Sequence, residues 1–144
     1  MNDFHKNQHS VYRLTYHVVF VVKYRRQAIT DEIAAFMEED VTRLLELKGG
    51  SLGAFNHDKD HVHMLIELPP QAAPSVVVCI LKTQTAKNIR LQFKEEIMSC
   101  LWGDAFWSES YFICLHHFFR KFRFAYFVYR WIKCSVSAVF VMIF

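Results

Sequence analysis

Residues 11–24 set the tightest constraint on the fold. Tyr12, Leu14, Tyr16, Val18, Phe20 and Val22 occupy alternate positions, with Arg13, Thr15, His17 and Lys23 on the other set. A period of two built from β-branched and aromatic side chains predicts one long strand that turns an apolar face to a core. The period then changes. Thr30 suits a helix N-cap, Asp31 and Glu32 suit the first turn, and Gly49-Gly50 suits a stop. Between them Ile33, Phe36, Met37, Val41, Leu44 and Leu45 recur at helical spacing, which predicts a helix over 31–48.

Residues 51–68 predict a hairpin around the polar turn His57-Asp58-Lys59-Asp60. In its second strand Val62, Met64, Ile66 and Leu68 face one way, His61, His63, Leu65 and Glu67 the other, and Pro69-Pro70 ends the run. Pro74 fits the first turn of a second main helix, with Val77, Ile80 and Leu81 as its apolar stripe. A short helix from Glu95 to Leu101 and an aromatic-rich strand over 105–114 complete the pattern. Strand, helix, strand, strand, helix, strand is the split βαβ order. It predicts an α+β fold, a ferredoxin-like sandwich whose antiparallel sheet carries its helices on one face and leaves the other open. The 144 residues, 53% of them apolar, suffice for one core and exclude a disordered chain.

The formal charge of +3 argues only weakly for a nucleic-acid partner, but its placement is uneven. All 14 acidic residues lie at or before Glu109. Beyond it stand Arg120, Lys121, Arg123, Arg130 and Lys133, with eight of the 14 phenylalanines and no Gly or Pro. The break divides the chain into a domain over 1–114 and an atypical basic, aromatic segment over 115–144. Cys79, Cys100, Cys114 and Cys134 form no C-x-x-C pair, which predicts free thiols in a reducing cytoplasm. The N-terminus shows no signal-peptide apolar region, and Cys134–Phe144, at eleven residues, is too short to span a bilayer, so no membrane partner is expected.

The candidate chemistry centres on Asp60-His61-Val62-His63. Two strand residues of rise put the histidines about 7 Å apart at the backbone and on one face, close enough for both imidazoles to reach one divalent ion. The spacing alone also fits an ordinary polar strand face. A metal would need a third ligand, and Asp60 or Glu67 could ligate it or orient an imidazole. Lys23, Arg25 and Arg26 beside Tyr24 form a basic cluster suited to phosphate contacts with a base stacked on the ring, or an ordinary solvated strand end. Lys82, Lys87 and Arg90 on the second main helix read either as phosphate contacts or as a charged outer face. Trp102, Trp107 and Tyr111 suit core packing better than base stacking.

Several segments in order resemble the small single-tyrosine transposases of bacterial insertion sequences, members of the His-hydrophobic-His nuclease superfamily. They are Tyr16-His17-Val18-Val19-Phe20-Val21-Val22-Lys23-Tyr24-Arg25, then Asp60-His61-Val62-His63-Met64-Leu65, then the helix with Leu81-Lys82-Thr83. Leu101-Trp102-Gly103, Phe106-Trp107-Ser108 and Ser110-Tyr111-Phe112 follow, so that the resemblance spans about residues 10–113. It implies a homodimer in a bacterial or archaeal cell that binds hairpin ends of single-stranded DNA. His61 and His63 would hold magnesium or manganese at the scissile phosphate. A tyrosine on a late helix would attack, giving a 5′-phosphotyrosine and a free 3′ hydroxyl, and the stored phosphodiester would be used for rejoining.

The resemblance ends in the tail. Family spacing from Tyr111 places the nucleophile near 127, with a polar ligand, usually Gln, four residues on; this chain has Phe127 and Trp131. Tyr126 is therefore the candidate nucleophile, with Tyr129 as the alternative, although Arg130 and Lys133 stand at the ligand positions. A reading-frame lesion after about Cys114 would account for both this departure and the break in composition. The alternatives to a cutting enzyme are a catalytically decayed transposase and a non-cleaving module that binds single-stranded nucleic acid.

Overall fold

The computed structural model describes residues 4–6, 11–101, 103, 105–116 and 140–141. The elements are β1 (His5–Lys6), β2 (Val11–Tyr12), β3 (Thr15–Val22), α1 (Asp31–Glu46), β4 (Ser51–His57), β5 (His61–Glu67), α2 (Pro74–Gln92), α3 (Lys94–Cys100), β6 (Trp107–Leu115) and β7 (Phe140–Val141). β1 and β2 form a small antiparallel ribbon. The main sheet runs β4-β5-β3-β6-β7, antiparallel throughout except for the short parallel β6/β7 pair. Without β7, its order is that of the split βαβ sandwich, and the expected α+β fold is the one observed.

Local chemistry accounts for the elements. The Thr30 side chain accepts from the Ile33 N–H at 3.2 Å and so caps α1, with Asp31 and Glu32 in the first turn. Pro74 opens α2. The helices cover one sheet face, where Val18, Phe20, Val22, Val62, Met64, Ile66 and Ile113 meet Ile33, Met37, Val41, Leu45, Val78, Leu81, Ile89 and Phe106 in one buried cluster. Each such side chain taken fully out of water stabilises the fold by roughly 1.5–3 kcal/mol before entropy is counted.

Three expectations change. The long strand over 11–24 is two strands: the chain bends at Arg13-Leu14, where the Leu14 carbonyl accepts from Leu68 N–H at 3.0 Å. β3 then stops at Val22, because Lys23–Arg25 make one tight turn in which Tyr24 (φ 58°) and Arg25 (φ 53°) are left-handed. The second sheet face is not open at its centre: Val19 and Val21 are 0% and 2% exposed there, and Phe112 6%. β3 is thus buried on both faces over Val18–Val22, where the alternation gives way to an unbroken apolar run. On α2, Val78 rather than Ile80 completes the buried stripe, because the buried positions run Val77, Val78, Leu81, Thr85 and Ile89.

Candidate metal and nucleic-acid site

The site is built from the register of β3 against β5. Val21 lies opposite His61, Val19 opposite His63, and His17 opposite Leu65. His61, His63, Val19, Val21 and His17 therefore share the face away from the helices, and His17 is diagonal to His63. The His61 and His63 ring centroids are 4.9 Å apart, nearly perpendicular at 75°. His17 stacks on His63 at 5.3 Å and 15°, with its Nε2 3.2 Å from His63 Nδ1. Each pairing follows from two residues of strand rise or one diagonal step, so the backbone ladder brings the rings together.

Electrostatics fixes which nitrogens are available. Burial, then the neighbouring His63 and His116, push the His17 pKa down to about 4. His17 is thus neutral at physiological pH, and in the tautomer that accepts at Nε2 it takes the Nδ1–H of His63 and leaves the His63 lone pair on Nε2. Burial, then His61, also lowers the His63 pKa. Asp60 Oδ1 accepts from His61 Nδ1 at 2.6 Å, which likewise leaves Nε2 as the lone-pair nitrogen of His61. Asp60 Oδ2 accepts from Arg25 Nε at 2.9 Å and from its terminal amino group at 2.7 Å. Burial would raise the Asp60 pKa, but the hydrogen bonds from His61 and Arg25 and the charge of Arg25 outweigh it and hold the carboxyl below its ordinary value.

Two imidazoles on one strand face, each with its Nδ1 engaged and its Nε2 left for a ligand, fit a divalent cation. Asp58, Asp60 and His61 also place one ligand atom each within 4.8 Å of one another. A shallow cavity of about 220 Å³ adjoins the rings, lined by His17, Asn56, His63, Leu65 and His116 among others. Glu67 stands at the far end of β5, engaged by Thr15 and Arg13, and lies apart from the imidazoles.

The other candidate residues divide. Tyr24 is 75% exposed, Arg26 is exposed, and Lys23 Nζ lies 5.5 Å from the Tyr24 ring centroid. Arg25 is also exposed, with its guanidinium paired to Asp60. Lys87 is exposed on α2. Of the three cations on α2, two are engaged within the fold. Lys82 Nζ donates to the carbonyls of Ser108, Glu109 and Ser110 at 2.6, 2.9 and 3.3 Å. Arg90 donates to the Gly103 carbonyl at 2.7 Å. Trp107 is a core residue whose Nε1 donates to the Thr85 hydroxyl at 3.0 Å, and Tyr111 packs against the core. Trp102, Tyr126, Phe127, Tyr129, Trp131 and nearly all of the 115–144 segment lie outside the described residues. Cys79, Cys100 and Cys114 are free thiols. Among the described residues no helix is long and apolar enough to cross a membrane.

Sequence reasoning missed His17 and the pairing of Arg25 with Asp60. Both depend on strand register and on a left-handed turn, and one sequence specifies neither. The only signal was that His17 shares the polar set of its strand.

The family described as "Transposase IS200 like" matches residues 10–117. The ISDra2 transposase TnpA of Deinococcus radiodurans is 31% identical over 108 residues, which is 75% of this chain and 76% of that protein. The transposase for insertion sequence element IS200 of Salmonella typhimurium is 29% identical over 113 residues, 78% of this chain and 74% of that one. The crystal structure of a candidate transposase from Deinococcus radiodurans superposes with a TM-score of 0.78 at 26% identity, covering 93% of this chain and 99% of that one. A REP-associated tyrosine transposase bound to a REP hairpin shares the fold, with a TM-score of 0.56 at 12% identity over 90% of this chain and 75% of that one.

Proposed function

Because the chain belongs to the IS200-like transposase family, we propose that it binds hairpin ends of single-stranded DNA and cuts and rejoins them at His61 and His63. One observation carries this reading: two imidazoles 4.9 Å apart, each with its Nδ1 engaged, on the family's Asp-His-x-His segment. The residues fit magnesium or manganese, and such an ion supplies Lewis-acid polarisation of the phosphoryl oxygens. His61 and His63 hold it, and Asp60 and His17 hold them. Tyr24, Lys23 and Arg26 at the end of β3, with Lys87 on α2, are the exposed groups for stacking and phosphate contact.

The nucleophile is Tyr126, or Tyr129 in its place. Its oxygen attacks phosphorus; the bond to the 3′ oxygen breaks and that oxygen takes a proton. The 5′-phosphotyrosine conserves the phosphodiester for reversal onto another 3′ hydroxyl. A homodimer acts on paired ends, as the family resemblance implies.

A second reading, a decayed transposase that binds but does not cut, is favoured by Phe127 and Trp131 at the positions of the family's Tyr and Gln. A stacking module of the RNA-recognition kind is disfavoured, because Val19, Val21 and Phe112 on the central strands are buried rather than presented.

The test is incubation of the full chain with labelled hairpin single-stranded DNA and manganese. The proposal predicts an adduct that survives SDS and is absent when EDTA replaces the metal. Tight binding with no adduct supports the decayed reading, and no preference for the hairpin over duplex DNA contradicts both.

A further inference from the structure

We propose that Arg25 is a positioning residue for His61, acting through Asp60, and that the left-handed Tyr24-Arg25 turn serves to aim it; this rests on the reading of His61 as a metal-holding imidazole. The guanidinium places two N–H groups on Asp60 Oδ2, at 2.9 and 2.7 Å, and leaves Oδ1 to accept the His61 Nδ1–H at 2.6 Å. With both oxygens held, the carboxylate cannot rotate away, and the imidazole keeps one ring orientation and one tautomer, with its lone pair on Nε2.

The backbone points the same way. Tyr24 and Arg25 are consecutive non-glycine residues with φ of 58° and 53°, a conformation L-residues adopt only where their surroundings impose it. The surroundings do so on both sides. Val22 N–H donates to the Asp60 carbonyl at 2.8 Å, Lys23 N–H to Phe106 at 2.9 Å and Ile29 N–H to Lys59 at 2.9 Å. The turn is therefore stapled to the residues that immediately precede His61. An unstrained continuation of β3 would carry Arg25 past Asp60; the reversal brings it back.

Two rival uses of the same groups are less well served. Arg25 is exposed like Tyr24 and Arg26, but as a phosphate contact it would have to release a carboxylate that already takes two of its N–H groups, which Arg26 beside it need not do. As a direct metal ligand alongside Asp58 and His61, Asp60 would have to bind a cation through a carboxylate whose Oδ2 already faces a guanidinium and whose Oδ1 already accepts from His61. Charge repulsion and the occupied lone pairs oppose that arrangement.

The test measures Mn²⁺ binding by titration calorimetry on the full chain, together with metal-free ¹⁵N-imidazole spectra that report the His61 tautomer. Arg25→Ala and Asp60→Asn are each expected to weaken Mn²⁺ binding by about 10-fold or more and to shift His61 from the Nδ1–H form toward a mixture. Arg25→Lys keeps the charge but not the planar fork and should recover part of both. Lys94→Ala, an exposed cation on α3, should change neither. If Arg25→Ala does not fold, the Asp60→Asn and Arg25→Lys spectra decide. The proposal is overturned if His61→Ala abolishes binding while the Arg25 and Asp60 variants bind Mn²⁺ within twofold of the parent and leave the tautomer unchanged. If His61→Ala itself binds as the parent does, the metal reading fails instead.

Discussion

Replacing Lys82 with Met separates the two roles this lysine could have. Between its pairing with Val22 at Trp107 and with Phe20 at Tyr111, β6 bulges away from β3, so Ser108–Ser110 leave the regular ladder. Their three carbonyls are those that Lys82 Nζ meets, at 2.6, 2.9 and 3.3 Å. The ammonium has three hydrogens and three acceptors. Hydrogen bonds from a charged donor contribute about 1.5–3 kcal/mol each, less the cost of desolvating the ammonium. That cost is visible in the lowered Lys82 pKa, which burial causes and which Cys79 and Glu109 only partly oppose. Lys82→Met keeps the aliphatic stem, so a net destabilisation of about 2–3 kcal/mol is expected, or roughly 6–9 °C in Tm at this chain length. Thermal melting by circular dichroism measures the first effect. The slope of log affinity against log salt for single-stranded DNA measures the second, and it should not change. A Tm within about 2 °C of the parent, with a slope shallower by about 0.7, would mean that Lys82 contacts a phosphate and that the bulge holds without it.

Three further outcomes follow from buried geometry. Thr85→Val removes the hydroxyl that accepts from Trp107 Nε1 and leaves that N–H buried without a partner; chemical denaturation should show a loss of about 1–3 kcal/mol, with Thr85→Ser close to the parent. A Cβ at Gly50 would sit 2.5 Å from the Glu67 carbonyl oxygen, so Gly50→Ala should cost about 1–3 kcal/mol by the same method, since backbone on both sides must shift. Burial pushes the Cys114 thiol up to about 12, so it stays protonated at pH 8; timed alkylation read by mass spectrometry should modify exposed Cys79 far sooner, and Cys114 only when the chain is unfolded.

Much of this was legible in the residue pattern because each main element carries its own period and its own stop. Thr30, Gly49-Gly50, Pro69-Pro70 and Pro74 mark boundaries that the structure reproduces to within a residue or two. The His61/His63 pair was legible for the same reason, since alternation alone puts both on one face. What the pattern concealed depends on contacts between distant segments. Val19 and Val21 share the parity of Arg13, Thr15, His17 and Lys23, yet both are buried because β3 is a central strand. Lys82 and Arg90 read as surface cations because nothing in α2 reveals the carbonyls of β6 and Gly103 that they meet. Asp40 occupies a polar slot in the α1 pattern but is buried, held by Arg43 at 2.6 Å and by Asn88 of α2 at 2.8 Å. His17 needed the β3/β5 register before it could be placed beside His63.

The most direct test of the central claim is to map the covalent linkage. Full-length protein is incubated with labelled hairpin single-stranded DNA and manganese, digested with trypsin and nuclease, and searched by mass spectrometry for nucleotidyl peptides. Cleavage after Arg123 and Arg130 places both candidate nucleophiles in one peptide, residues 124–130. A 5′-phosphotyrosine is expected in that peptide, at Tyr126 or Tyr129, that requires manganese and disappears in both His61→Ala and His63→Ala. An adduct on a residue outside that peptide, or one formed undiminished without the two histidines, would contradict that claim.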